Sequence, residues 1–237
     1  MRLPHLLGNE GLKQALSVLP AGGLGSAGLI DGPAGSGKRT AAGDLCQALL
    51  CTGKDAPCGA CPACRRVAAG AHPDLFWLEE SEPGKGVRLE QVRELRAQSF
   101  LRPSEAPYKI FVIPQADKLN LPSQNALLKV LEEPTSSLFV LLCENREAML
   151  QTVRSRCKTF RMTPLSRPQL LSALAGRCPE TTETQRLQAA EASAGLLGRA
   201  LDILSGRESP AFGAARDFCS VLSGGELAIF TVCQSLT

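Results

Sequence analysis

The sequence predicts an α/β fold in which a parallel sheet is wrapped by helices, interrupted by a four-cysteine insert and followed by a small all-helical unit. Three observations predict it. Short apolar runs alternate with amphipathic stretches up to about Thr163. A glycine-rich turn, Gly32-Pro33-Ala34-Gly35-Ser36-Gly37-Lys38, joins the first run to the first of these stretches. Beyond Thr163 the runs stop, and the chain becomes rich in Ala, Leu, Glu and Arg. Strands alternating with helices require crossover connections, which give a parallel sheet covered on both faces.

The elements follow in order. Residues 27–30 form an apolar strand ending at Asp31 and the glycine-rich turn. A helix runs over 38–50, with Ala41, Leu45, Ala48 and Leu49 on its apolar face. After the cysteine segment, 74–78 reads as a strand and 89–99 as a helix, with Leu89, Val92 and Leu95 at helical spacing. Residues 108–113 are the clearest buried strand. A helix over 122–133 is closed by Pro134, and 138–143 is another apolar strand. Pro164 and Pro168 punctuate a linker. The expected organisation is therefore a core over 1–163 with the four-cysteine module at 51–64, an all-helical unit over 164–207, and a short helical segment over 208–237.

Composition bounds the function. At 237 residues there is ample apolar content for a core, and no apolar run reaches the length of a bilayer crossing. The N-terminus carries no signal-peptide pattern, so the ten cysteines read as reduced thiols and metal ligands of a cytoplasmic protein. A net charge of +3 is too small to argue for nucleic acid, which would need a local patch.

In a loop of the form G-x-x-x-x-G-K-[ST], backbone N–H groups wrap phosphates, the Lys reaches the outer phosphates and the hydroxyl holds Mg²⁺. Gly32, Gly35, Gly37 and Lys38 fit that form, but Arg39 stands at the hydroxyl position and Thr40 comes one place late. One residue along a helix turns a side chain by about 100°, so Thr40 is a poor substitute. Two readings stay open: a turn that takes no nucleotide, and a loop that binds ATP or ADP but hydrolyses it poorly. The acidic pair that would hold Mg²⁺ and activate water belongs at the end of a buried strand. The strand over 108–113 runs instead into Pro114-Gln115-Ala116-Asp117, where Gln115 and Ala116 cannot act as a base and Asp117 lies past the strand end. The sequence thus argues against ATP hydrolysis. An ATPase would need Thr40 and Asp117 to stand in for the missing ligands.

Cys51, Cys58, Cys61 and Cys64 fall within fourteen residues. Zn²⁺ takes four soft ligands in a tetrahedron, and short C-x2-C spacings let tight turns supply them. Pro57, Gly59 and Pro62 suit those turns. Four thiolates leave no open position, so the metal would be structural. Unpaired thiols, a redox C-x2-C and an iron–sulfur cluster are the alternatives, with Cys46 and His72 as ligands of worse spacing. A zinc-dependent nucleic-acid module is a further alternative, but the segment lacks the interleaved aromatics of single-strand binders.

Four features together resemble the delta-prime type within the AAA+ clamp-loader family of bacterial DNA polymerase III. They are the four-cysteine insert, Ala116-Asp117-Lys118-Leu119, the stretch from Ser123 through Asn125-Ala126-Leu127-Leu128-Lys129 to Glu132-Glu133-Pro134, and Ser155-Arg156-Cys157. The resemblance covers roughly residues 3–207. It implies an AAA+ core, a helical lid and a helical collar joining five subunits in a ring, with gamma/tau and delta subunits, a sliding clamp and primed DNA as partners. It also implies that Arg156 is an arginine finger acting in trans on a neighbour's ATP. Arg199, in Gly195-Leu196-Leu197-Gly198-Arg199, matches the lid position that faces the phosphates in ATP-binding relatives. His5-Leu6-Leu7-Gly8-Asn9 resembles the segment beside the adenine pocket. The degraded loop and acidic motif separate the delta-prime type from the alternative, a gamma/tau-type motor. Only about thirty residues follow Arg207, so the collar reads as truncated.

Overall fold

Strands β1 (Ala27–Asp31), β2 (Leu75–Trp77), β3 (Lys109–Ile113), β4 (Ser137–Cys143) and β5 (Lys158–Arg161) form one parallel sheet in the order β2-β3-β4-β1-β5. The computed structural model describes residues 2–17, 25–79, 87–133 and 136–207. The expected collar segment over 208–237 and the helix-closing Pro134 lie outside the described residues.

Alternation along the strands divides the core. Ile30, Ile110, Val112, Val140, Leu142 and Phe160 point to one face, where they pack under α1 (Glu10–Ser17) and α2 (Lys38–Leu50). Leu29, Phe111, Ile113, Phe139 and Leu141 point to the other, under α4 (Leu89–Ser99), α5 (Leu121–Glu132) and α6 (Gln151–Arg154). The intervening α3 (Pro62–Ala68) belongs to the cysteine segment. Across the second face Phe76, Phe111 and Phe139 stack on neighbouring strands, with centroids 5.0 and 5.4 Å apart. Cross-strand aromatic pairs of this kind fix register as well as adding burial.

The predicted strands and helices appear with ends shifted by a residue or two, and α4 spans the predicted 89–99. Strand β5 is an addition to the sequence reading. It is an edge strand in which only Phe160 is buried, so no apolar run announces it. Helix α1 also went unpredicted; its burial rests on Leu12 and Leu16 alone.

After β5, helices α7 (Arg167–Arg177), α8 (Glu183–Ala192) and α9 (Leu197–Leu204) pack around a small core of Leu170, Leu174, Ala189, Ala190 and Ala200. Asn9 clips the start of this unit to the N-terminal segment, its Oδ1 accepting from the Thr163 N–H at 2.7 Å. No helix among the described residues is long and apolar enough to cross a membrane.

Candidate functional site

The C-terminal end of the sheet carries the glycine-rich loop, between Asp31 at the end of β1 and the first turn of α2. Ligands of open α/β sheets bind at this end. A cavity of about 320 Å³ opens there, bounded by the loop, His5 to Leu7, Gln115, Glu144 and the first turn of α9. Asp44 on α2 fixes the N-terminal wall. Its buried carboxylate accepts the His5 and Leu6 backbone N–H groups at 2.8 and 3.0 Å and lies 2.6 Å from His5 Nδ1.

Lys38 does not project into open space. Its buried ammonium donates to the carbonyls of Gly32 (2.6 Å) and Pro33 (2.8 Å), and Glu144 Oε1 lies 3.7 Å away. Burial pushes the Lys38 pKa down, against the opposing charges of Glu144 and Asp117. Glu144, just past β4, belongs to the site and is absent from the sequence reading. A charged residue after an apolar strand is too ordinary a signal to single out.

Arg39, at the hydroxyl position of the loop, turns away to the sheet edge. It pairs with Glu79 at 2.5 Å and lies over the Trp77 ring, 5.1 Å from its centroid. Thr40 lines the cavity, half-buried on α2. Asp117 caps a turn, its Oδ2 accepting the N–H groups of Glu144 and Asn145 at 3.0 and 2.9 Å. Its role is thus to set the backbone that presents Glu144. Gln115 Oε1 and Ser36 Oγ, both on residues lining the cavity, are buried without a hydrogen-bond partner.

The helical unit closes on this loop backbone to backbone. Gly198 N–H donates to the Gly35 carbonyl at 2.9 Å. A Cβ on Gly35 would meet the Arg199 nitrogen at 2.8 Å, and one on Gly198 would meet Gly35 Cα at 2.7 Å. Glycine at both positions lets the two chains touch, and Gly35 also has a φ of +77° that other residues resist. Arg199 therefore sits on the turn of α9 that covers the loop.

Cys51, Cys58, Cys61 and Cys64 converge as well. Their sulfurs lie within 4.8 Å of one another, with Cys51 and Cys61 Sγ 4.0 Å apart. A tetrahedral Zn²⁺ with four thiolates at 2.3 Å needs sulfurs about 3.8 Å apart, so the cluster is close to ligating geometry. Backbone N–H groups are already aimed at the sulfurs. Gly53 and Cys58 donate to Cys51, Cys61 to Cys58, and Cys64 to Cys61, at 3.3 to 3.4 Å. Such donors favour the thiolate. The N–H groups of Cys64 and Thr52 bring the Cys61 thiol down to about 5, whereas burial pushes Cys64 up to about 12. Gly53 keeps the turn tight, since a Cβ there would lie 2.9 Å from Cys58 Sγ. Cys46 and His72 stay outside the cluster: Cys46 is packed in the core, and His72 Nδ1 accepts from the Asp74 N–H. All eight cysteines among the described residues are free thiols.

Arg156 lies elsewhere. It precedes β5, at the N-terminal end of a parallel sheet whose C-terminal end bears the glycine-rich loop. Its guanidinium donates to Glu132 at the end of α5 (2.6 Å) and to the Thr152 carbonyl (3.0 Å), and the residue is exposed. Gln124, buried on the same helix, fixes the approach to it. Its Nε2 donates to the Leu119 and Ala148 carbonyls, and its Oε1 accepts from the Leu150 N–H. The quoted stretch of α5 thus builds the support for the Ser155-Arg156-Cys157 turn.

Comparison with known proteins identifies relatives. Residues 9–166 match the family model described as DNA polymerase III, delta subunit. The DNA polymerase III subunit delta′ of Pseudomonas aeruginosa is 40% identical over 132 residues, 54% of this chain and 40% of that protein. The delta′ subunit of Bacillus subtilis is 34% identical over 144 residues, 60% of this chain and 43% of that one. The gamma/tau subunit of Mycobacterium tuberculosis is 35% identical over 182 residues, 74% of this chain and 31% of the relative. The matched part of the chain thus spans less than half the length of these relatives. Among solved structures, a DNA polymerase III gamma subunit-related protein from Thermotoga maritima aligns with a TM-score of 0.52 at 20% identity, covering 96% of this chain and 70% of that one. A RuvB variant from the same organism aligns at 0.57 and 12%, covering 99% and 72%. These two likenesses establish an AAA+ fold.

Proposed function

The chain belongs to the DNA polymerase III delta-subunit family, and on that premise we propose that it serves as a non-catalytic, delta-prime-type subunit of a bacterial replicative clamp loader. In this role it completes a neighbouring subunit's ATP site with Arg156. With gamma/tau and delta subunits it helps place a sliding clamp on primed DNA during DNA replication.

The observation that carries the reading is the position of Arg156. The four residues of β5 separate it from its own phosphate loop, which puts it on the order of 10 Å or more down the sheet. At that distance it cannot reach a phosphate bound in cis, yet its guanidinium is held on the surface by Glu132 and Thr152, ready to meet another chain. A guanidinium set against a transferring phosphoryl group neutralises developing charge and is worth about 10³–10⁵ in rate. The loop itself supports the non-catalytic part. Arg39 is committed to Glu79, Asp117 to a turn, and the strand end carries Gln115 and Ala116. No side chain at the expected positions is left to hold Mg²⁺ or activate water.

In the same reading the four cysteines hold a structural Zn²⁺. The module is tied to the core by Gln47 Nε2, which donates to the Cys64 carbonyl, and by the Arg66–Glu105 ion pair. A gamma/tau-type motor is the second reading, favoured by the longer match to a gamma/tau relative. ATP turnover by the chain alone that disappears with Lys38→Ala would select it.

The deciding experiment for Arg156 is a ring assembled with the Arg156→Ala chain. Assembly and folding should be intact, while clamp- and DNA-stimulated ATP turnover falls, by about 10³-fold or more at the site it completes. Turnover equal to that of the unaltered ring refutes the finger role.

A further inference from the structure

We propose that Glu144 is an internal anion that occupies Lys38 in place of a nucleotide phosphate, so that this phosphate loop rejects polyphosphates. The inference rests on the reading above that the subunit does not turn over ATP, and it supplies a residue-level cause for it.

The geometry builds the device in steps. Asp117 Oδ2 accepts the N–H groups of Glu144 and Asn145 at 3.0 and 2.9 Å, which pins the turn after β4. That turn presents the Glu144 side chain to the cavity, with Oε1 3.7 Å from Lys38 Nζ. The ammonium has three N–H donors. Two are given to the Gly32 and Pro33 carbonyls, and the carboxylate supplies the countercharge on the remaining side. An ammonium buried among carbonyls requires a countercharge, and in a phosphate loop that charge ordinarily arrives with the ligand. Here the chain brings its own.

Two consequences follow. A triphosphate or diphosphate entering the cavity would bring its negative charge within a few ångströms of the half-exposed Glu144 carboxylate. Like charges so placed repel, and a repulsive element of this sort discriminates alongside a missing contact. In addition, the loop is braced by the chain itself, since the Gly35 carbonyl accepts from the Gly198 N–H of the helical unit.

The test uses the whole chain and a fluorescent N-methylanthraniloyl-ADP with Mg²⁺, titrated against wild type, Glu144→Gln, Lys38→Ala and the double variant. The Glu144 side chain is 48% exposed and the turn is held through its backbone, so Glu144→Gln should keep the fold, with a lowered melting temperature that addition of the nucleotide restores. Removing the charge should tighten binding by about tenfold or more, and the gain should vanish when Lys38 is also replaced. Equal affinities of wild type and Glu144→Gln overturn the proposal, as does a gain that survives without Lys38. Absence of binding by both also overturns it, because another feature of the loop then excludes the ligand. Steady-state ATP turnover, measured on the same proteins, separates this failure from failure of the functional reading. Lys38-dependent turnover by the wild type would sink the non-catalytic reading, whereas equal binding without turnover removes only the role of Glu144.

Discussion

Replacing Gly198 with Ala sets two effects of opposite sign against each other. Gly198 is the second residue of α9, and alanine is preferred to glycine within a helix by about 1 kcal/mol. Against this, its Cβ would lie 2.7 Å from Gly35 Cα and 3.2 Å from the Gly35 carbonyl oxygen. Both obstacles are backbone and cannot rotate aside. The helical unit must therefore lift from the glycine-rich loop, and the 2.9 Å bond from Gly198 N–H to Gly35 O lengthens or breaks. A lost backbone hydrogen bond costs about 1 kcal/mol and over-packing about 1–3 kcal/mol more. The contact terms outweigh the helix gain, leaving a net loss of about 1–3 kcal/mol. Gly43 calibrates the argument. It lies in the middle of α2 with nothing within 4 Å of its would-be Cβ, so Gly43→Ala carries the helix gain alone and should stabilise by up to about 1 kcal/mol. The assay is urea denaturation of both variants, with amide hydrogen exchange read over α9. Gly198→Ala should fall below wild type and expose the α9 amides, while Gly43→Ala should rise above it. If Gly198→Ala is as stable as Gly43→Ala and α9 is equally protected, the close backbone contact bears no cost and the reasoning is refuted.

The cysteine cluster and a buried carboxylate supply the remaining predictions. Cys61→Ser should abolish stoichiometric Zn²⁺ and loosen the module, since a structural site contributes about 10–16 kcal/mol of apparent binding energy; full stability with no metal in the purified wild type would count against the site. Zinc affinity should fall as pH falls, because the metal must expel the proton that burial keeps on Cys64, while the Cys61 thiol, at about 5, is already ionised near neutrality. Chelator competition at pH 8 and pH 6 should show a loss of about tenfold per pH unit for each proton expelled, and a pH-independent affinity would contradict the assignment. Burial alone would raise the Asp74 carboxyl, but the N–H groups of Ser104, Ala106 and Glu105 outweigh it and hold it below its ordinary value. Its stabilising contribution is thus present above the unfolded value of about 3.9 and lost as pH falls through the folded one. Asp74→Asn should cost about 1–3 kcal/mol at pH 7 by urea denaturation, a difference that shrinks toward pH 3; a pH-independent gap would refute this account.

What the sequence made legible follows from how each signal is written. Continuous apolar runs such as Ile110 to Ile113 and Leu138 to Cys143 announce strands buried on both faces, and the structure has them there. Strand β5 buries only Phe160 among Lys158, Thr159 and Arg161, so its membership comes from pairing with β1 and leaves no mark on composition. The cysteine cluster was legible because its four cysteines fall within one short segment. Glu144 was not, because its meaning depends on Lys38 and Asp117, each more than twenty-five residues away in the chain and brought near it only by the sheet. The use of Arg39 was hidden for the same reason. A missing hydroxyl is visible in a motif, but the Glu79 and Trp77 that employ the replacement lie on another strand's exit.

The two ends of the parallel sheet carry opposite chemistry. At the C-terminal end Glu144 faces Lys38, Gly198 caps Gly35 and Asp117 is absorbed in a turn, so the glycine-rich loop finds these partners within the chain. At the N-terminal end Arg156 is steadied by Glu132 and Thr152 yet left exposed. A subunit that cycled nucleotide would need the first end open. With Glu144 holding Lys38 as proposed, no nucleotide has to bind or leave there. On the proposed function this is the useful arrangement: a finger offered to a neighbour works best on a body whose own state does not vary with ATP. The Gly198 and Glu144 variants test that link. If either frees the loop, Arg156 in an assembled ring should serve its neighbour's site less constantly, with turnover there becoming dependent on nucleotide bound to this chain.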